Sequence, residues 1–219
     1  MNKTVNVLHV VDPSGAETTR LWKDELLAVI DRFHARGWSP ATSSNYSFRN
    51  SDGNTITISR SGVDKSAFAL ADFMVVDDNG LPLREYRHLK PSDETLIHTT
   101  LYKRPSIQAV LHTHTVANTT ISLRYQSEHT IKLKGFELLK GFHGVVTHDA
   151  EITIPIIDNS QDIKNLSRTI ADLPGDVPGF LLSGHGLYAW GRTIAEAKRH
   201  VETFEFLFEC VNTMDMIKR

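Results

Sequence analysis

Apolar residues recur three or four apart at Trp22, Leu26, Val29, Ile30 and Phe33, and Gly37 follows the run. That spacing predicts an amphipathic helix from about Glu17 to Arg36, with Gly37 as its stop. The period then shortens to two. Tyr46 to Arg49 and Thr55 to Ser59 alternate around Ser51-Asp52-Gly53, which predicts a β-hairpin. Phe73 to Val76, with the segment after Asp78-Asn79-Gly80, predicts a second hairpin. Pro91-Ser92-Asp93-Glu94 opens a helix to about Lys103, with Ser92 as its N-cap. A buried strand over 107–112, a helix near 115–124 and a loop-rich, histidine-containing region to about Ala150 come next.

Ile152-Thr153-Ile154-Pro155-Ile156 predicts a strand whose proline favours an edge or a terminal position. A helix over 160–172 precedes two strands, Gly179 to Leu182 and Leu187 to Trp190, which flank Ser183-Gly184-His185-Gly186. Thr193-Ile194-Ala195-Glu196 has the form of a capping box and starts the last helix, lined on one face by Val201, Phe204, Phe208 and Val211. Hairpins alternate with helices along the whole chain. An α/β fold with a mainly antiparallel or mixed sheet covered by helices fits this better than a doubly wound parallel sheet. The sequence has no internal repeat and no low-complexity linker, so residues 1–219 read as one domain with Met1 to Thr18 as a loose arm.

Composition narrows the partners. A net charge of −2 gives no electrostatic case for nucleic acid or an acidic membrane. The single cysteine, Cys210, cannot form an internal disulfide, which favours a reducing compartment. Met1 to Gly15 carries no signal-peptide pattern, and no apolar stretch approaches the roughly 20 residues that span a bilayer. The expectation is a cytoplasmic enzyme or binding module acting on a small molecule.

Five segments carry candidate chemistry. His112 and His114 lie at i and i+2 and therefore share one face of the strand that they end. The spacing alone fits a metal site and a solvated or core-satisfied pair equally well. His185 stands between Gly184 and Gly186 directly after an apolar strand, as a third imidazole or as a solvent-facing turn residue. Three histidines with an open position form the pattern of a catalytic zinc rather than a structural one. Glu94 lies in the first turn of its helix, where a carboxylate serves as an acid/base or simply stabilises the helix dipole. Finally, Thr42-Ser43-Ser44-Asn45 and Ser59-Arg60-Ser61-Gly62 are hydroxyl-rich turns able to donate to a phosphate, with Arg60 and Lys65 as nearby charge.

The order of these segments resembles the class II aldolase/epimerase superfamily over about residues 20 to 215. Gly37-Trp38-Ser39-Pro40-Ala41-Thr42, Ser61-Gly62-Val63-Asp64-Lys65 and Leu139-Lys140-Gly141-Phe142 look most like its branch that dehydrates a methylthio-ketopentose phosphate in methionine salvage. Thr147-His148-Asp149, leading into Ile154-Pro155-Ile156-Ile157-Asp158-Asn159, is similar too. The resemblance implies one Zn2+ per subunit held by His112, His114 and His185, with Glu94 as the catalytic acid/base. It implies phosphate contacts from Thr42, Ser43, Ser44, Asn45, Ser61 and Gly62. It also implies three α/β/α layers and a homotetramer. The family's phosphate turn usually carries glycine where this chain has Ser44, so a Cβ there requires a different backbone or crowds the phosphate.

Dehydration is the activity implied. A zinc-dependent sugar-phosphate aldolase or pentulose-phosphate 4-epimerase is the alternative, since each passes through an enediolate. A non-catalytic module like the adducin head would not need the metal and acid positions kept here. No His-Glu-x-x-His helix supports a generic zinc hydrolase. His143 and His148 read as surface loop residues, and His34, His98 and His200 as structural or solvated helix residues. Phe204, Phe206 and Phe208 read as core or subunit packing, and Lys140 as a residue that could reach substrate across a subunit boundary.

Overall fold

A computed structural model describes residues 15–175 and 177–217, so most of the expected N-terminal arm lies outside the described residues. Helix α1 (Ala16–Ala35) takes in the arm's last residues. It ends where the periodicity ends. Gly37 sits at φ 72° and donates its N–H to His34, while the Trp38 N–H reaches back to Phe33. The Phe33 and Trp38 rings, 5.1 Å apart, supply the apolar contact of this helix-ending motif.

Strands β1 (Asn45–Arg49) and β2 (Ile56–Ser59) form the expected hairpin. Its turn is held by Asp52, whose carboxylate accepts from the Asn54 and Thr55 N–H groups. β3 (Phe73–Val76) pairs with β2. The second hairpin does not develop. The chain turns at Asp77–Gly80 but returns as a single bridge from Val76 to Pro82. Proline lacks the N–H that a ladder needs, and a 3-10 turn follows at Arg84–Tyr86.

Helix α2 (Thr95–Leu101) is shorter than expected at both ends. Ser92 shapes the turn before it, its hydroxyl accepting from the Glu94 N–H, but Glu94 occupies the cap position. Next come β4 (Ala109–Thr113) and α3 (Val116–Arg124), whose start is closed reciprocally by Thr115 and Asn118. The region read as loop contains a strand, β5 (Thr130–Leu133), followed by β6 (Ile152–Ile157) and α4 (Ile163–Ala171) capped by Asp162. β7 (Gly179–Leu182), β8 (Gly186–Gly191) and α5 (Ile194–Ile217) complete the chain. The α5 cap is only half a capping box: Thr193 accepts from the Glu196 N–H, while Glu196 reaches the Arg192 N–H.

The eight strands form one sheet in the order β3-β2-β1-β4-β8-β7-β6-β5, antiparallel except for β6 beside β7. β6 is therefore interior, contrary to the expectation from Pro155. Ile156 donates toward β5, so the missing Pro155 donor falls on the β7 side, where paired register begins only at Ile156.

Helices cover both faces. Leu26, Ile30, Phe33, Phe204 and Phe208 pack on Phe48, Leu111, Leu181 and Ala189, placing α1, α3 and α5 in one layer. Ile97, Leu101, Leu166 and Ile170 pack on Ile58, Met74, Val110 and Trp190, placing α2 and α4 in the other. Each fully buried aliphatic or aromatic side chain contributes about 1.5–3 kcal/mol to holding the layers together. Strand alternation sends Ala109 and Leu111 to the first layer and Val110 and His112 to the second.

Candidate active site

Register builds the site. Across three central strands Asn45 pairs with His112, and His112 pairs with Tyr188, which in turn faces Phe180 on β7. The His112 ring stacks on Tyr188 at 3.9 Å, and Tyr188 stacks on Phe180 at 5.1 Å. His112 is fully buried, and its Nδ1–H donates to the Leu187 carbonyl at 2.9 Å. That bond fixes the tautomer and leaves Nε2 as a free lone pair.

His114 lies just past the end of β4, tethered by its N–H to the Trp38 carbonyl at 3.0 Å. Its Nε2 comes to 2.8 Å from His112 Nε2. His185 enters from the β7–β8 turn, its Nδ1 3.3 Å from Asn159 Oδ1, and its Nε2 also faces inward. Both glycines beside it are required. Gly184 adopts φ 64°, and a Cβ on Gly186 would fall 2.3 Å from the Thr113 carbonyl oxygen and 3.0 Å from His112 Cε1.

The three imidazoles bring one ligand atom each to within 4.8 Å of one another. Burial pushes His114 down to about 4, and burial also holds His112 well below its ordinary value, so both are in the neutral, ligand-competent form. Two imidazole nitrogens 2.8 Å apart, the His112 one an acceptor, with a third imidazole and a carboxylate beside them, form a donor set that fits a cation.

Glu94 reaches the cluster from the start of α2. Its Oε1 lies 2.9 Å from His185 Nε2, and its Oε2 accepts from Asn45 Nδ2 at 2.6 Å. Burial raises the carboxyl, but His112, His185 and the Asn45 hydrogen bond outweigh it and hold Glu94 well below the usual carboxylate range. The Tyr188 hydroxyl is buried beside Glu94 and Asn45; burial and the neighbouring Glu94 raise its pKa well above the ordinary value.

The two hydroxyl-rich turns meet this cluster. Thr42, Ser43, Ser44, Ser61 and Gly62 line a cavity of about 160 Å3 that Glu94, His114 and His185 close. Ser44 adopts φ 69°, the left-handed conformation that glycine would take without strain. Asn45 lines the same cavity, but its amide is committed to Glu94. Arg60 pairs with Asp72 at 2.7 Å, and Lys65 is buried against the Val63 carbonyl, with burial pushing it down to about 8.

Other expected residues lie elsewhere. Lys140 pairs with Glu137 at 2.6 Å on an exposed 3-10 turn. His143 contacts Arg192 just past the far end of β8, and His148 is an exposed residue beside Asp149. Phe204 and Phe208 are core, whereas Phe206 is exposed. The sequence reading missed Tyr188 and Asn159 and gave His98 no part in the site. For Tyr188 the signal was available, since it is the third residue after His185 on an otherwise apolar strand that pairs with the His-x-His strand.

A family model for the class II aldolase and adducin N-terminal domain matches residues 24–211. L-fuculose-1-phosphate aldolase from Thermus thermophilus superposes with a TM-score of 0.71 at 22% identity, covering 91% of this chain and 97% of that one. A sugar-phosphate aldolase from Thermotoga maritima gives 0.70 at 19% identity, covering 92% and 98%. The fold is thus that of a class II aldolase. Among curated proteins, methylthioribulose-1-phosphate dehydratase from Picosynechococcus is 48% identical over 191 residues, 86% of this chain and 90% of the relative. The dehydratase of Stenotrophomonas maltophilia is 49% identical over 177 residues, 80% and 82%. The chain belongs to the class II aldolase and adducin N-terminal domain family and, within it, to the methylthioribulose-1-phosphate dehydratases.

Proposed function

We propose that this chain dehydrates 5-methylthioribulose 1-phosphate, with Zn2+ held by His112, His114 and His185 and with Glu94 as the acid/base. The observation that carries the reading is the ionised Glu94 carboxylate, 2.9 Å from His185 Nε2 at the mouth of the three-imidazole cluster. A zinc ion held by these three histidines would supply Lewis acidity toward the C2 carbonyl and the negative charge that develops beside it. The phosphate turn, with the Thr42 and Ser61 hydroxyls, holds the C1 phosphate, which sets C3–H toward Glu94, while the Ser43 hydroxyl donates to the Pro40 carbonyl and shapes the turn.

Glu94 Oε1 takes the C3 proton while Asn45 keeps Oε2 in place. The C4–O bond then breaks, and the departing hydroxide leaves as water with a proton. The remaining enol, C3(OH)=C4, gains a proton at C4 and gives up the proton of its C3 hydroxyl to solvent, which makes the 2,3-diketone. Atoms balance as the loss of one water.

The assembly we propose is a homotetramer, for which exposed Phe206, Met214 and Met216 on α5 supply apolar surface. No described helix is long and apolar enough to cross a membrane. We place the protein in the cytoplasm.

The test is turnover of the sugar phosphate by zinc-loaded protein, with a chelated sample beside it. Glu94→Gln should keep full zinc and lose ~100-fold or more in turnover. Near-normal turnover in that variant would end the acid/base assignment, and retro-aldol cleavage without diketone would reassign the reaction.

A further inference from the structure

Behind Glu94 lies a buried chain of hydrogen bonds that reaches the far end of α2. Asn45 Nδ2 contacts Glu94, and Asn45 Oδ1 contacts His98 Nε2. His98 Nδ1 lies 2.7 Å from Ser47 Oγ, which lies 2.7 Å from the Tyr102 hydroxyl. His98 and Ser47 are fully buried, and Tyr102 and Asn45 nearly so. Sequence spacing builds this chain. Glu94 and His98 are four apart around the start of α2, and Asn45 and Ser47 are two apart on the β1 face that meets it.

Only one direction of donation satisfies every atom. An ionised carboxylate accepts and cannot donate, so Asn45 must present its NH2 to Glu94 and its oxygen to His98. His98 must therefore carry its proton on Nε2, leaving Nδ1 to accept from Ser47, which in turn accepts from Tyr102. With the proton on Nδ1 instead, Asn45 would turn its oxygen against the Glu94 carboxylate. Burial pushes His98 down to about 4, so the ring stays neutral and holds a single tautomer.

We propose that His98 is a positioning residue for the dehydration, fixing the Asn45 amide so that Glu94 Oε2 is always occupied and Oε1 alone faces the substrate. This rests on Glu94 being the acid/base. A leucine at position 98 fills space in the same layer but lets the Asn45 amide rotate. The carboxylate then loses its fixed orientation, and displacements of this kind cost on the order of 100-fold in rate. A glutamine keeps a donor where His98 Nε2 stands.

The test compares His98→Leu, His98→Gln and Glu94→Gln in zinc-loaded protein, measuring kcat, KM and bound zinc. His98→Leu should lose ~10- to 100-fold in kcat with KM within about twofold and zinc at full stoichiometry. His98→Gln should recover most of that loss. In wild-type protein labelled with 15N-histidine, His98 should show the Nε2–H tautomer between pH 5 and 8.

Normal kcat in His98→Leu beside a dead Glu94→Gln would overturn the proposal and leave the acid/base reading intact. Normal kcat in Glu94→Gln would remove both. If His98→Leu fails to fold, the wild-type spectrum decides: an Nδ1–H or charged ring overturns the proposal. Equal losses in the Gln and Leu variants overturn it too.

Discussion

Glu205 is a fully buried carboxyl on α5, held by neutral donors: Thr113 Oγ1 at 3.1 Å, Thr115 Oγ1 at 2.6 Å and Asn118 Nδ2 at 2.8 Å. Burial outweighs these bonds and raises its pKa from 4.5 to about 7. Between those two values the folded protein binds a proton that the unfolded chain does not. Its contribution is therefore most favourable below the unfolded value and is lost as pH rises through about 7. At 1.36 kcal/mol per pH unit, the loss between pH 5 and pH 8 is on the order of 3 kcal/mol.

Glu205→Gln matches the size and abolishes the titration. Its amide meets three donors with one acceptor oxygen, a fixed cost of about 1–3 kcal/mol. Urea unfolding of both proteins at pH 5, 6, 7 and 8, at equal zinc loading, gives the difference directly. Subtraction removes the buried histidines, whose depressed values add stability with rising pH in both proteins. Wild type should lead at pH 5, and the lead should shrink or reverse by pH 8. A difference that stays constant from pH 5 to 8 would refute the reasoning, because Glu205 would then titrate alike in the folded and unfolded chains.

Gly186→Ala places a Cβ 2.3 Å from the Thr113 carbonyl oxygen, which must part β4 from β8 beside His112; bound zinc should fall well below one per subunit in a folded protein. His185→Ala should likewise lower zinc content, and undiminished metal would remove His185 from the ligand set. Ser44→Gly relieves a left-handed residue and should raise unfolding stability by ~0.5–1 kcal/mol. An unchanged or lower value would show that the Ser44 hydroxyl, 3.3 Å from the Trp38 carbonyl, offsets the backbone cost.

Much of this site was legible because its chemistry is local in sequence. His112 and His114 share a strand face by period alone, and the glycines around His185 announced a close approach that Gly186 makes against β4. A Cβ at Ser44 was expected to require a different backbone or to crowd the phosphate, yet Ser44 keeps the positive φ that glycine favours. β5 did not declare itself. Thr130–Leu133 is four residues long, carries a lysine, and gains its place only by pairing with β6 some twenty residues later. Pro155 misled for the complementary reason. A missing N–H matters only on the side where a ladder bond would form, and sequence does not say which side that is.

The polar residues behind the cluster were harder to read because each is ambiguous alone. Asn45 sits in a phosphate-type turn and His98 in a short helix, 53 residues apart, and neither position shows that one orients the other. Glu205 is further still, 90 residues from Thr115. Yet the pattern carried a trace of them. A buried strand that places Asn45 and Ser47 on one face, opposite a helix with His98 at the fourth residue after Glu94, spends polar side chains where apolar ones would pack at lower cost. Such a pattern is stable only if the polar groups satisfy one another, and a chain of satisfied groups has a direction set by its one charged member. Here that member is Glu94, so the polarity of the buried network follows from the ionisation that the proposed chemistry requires.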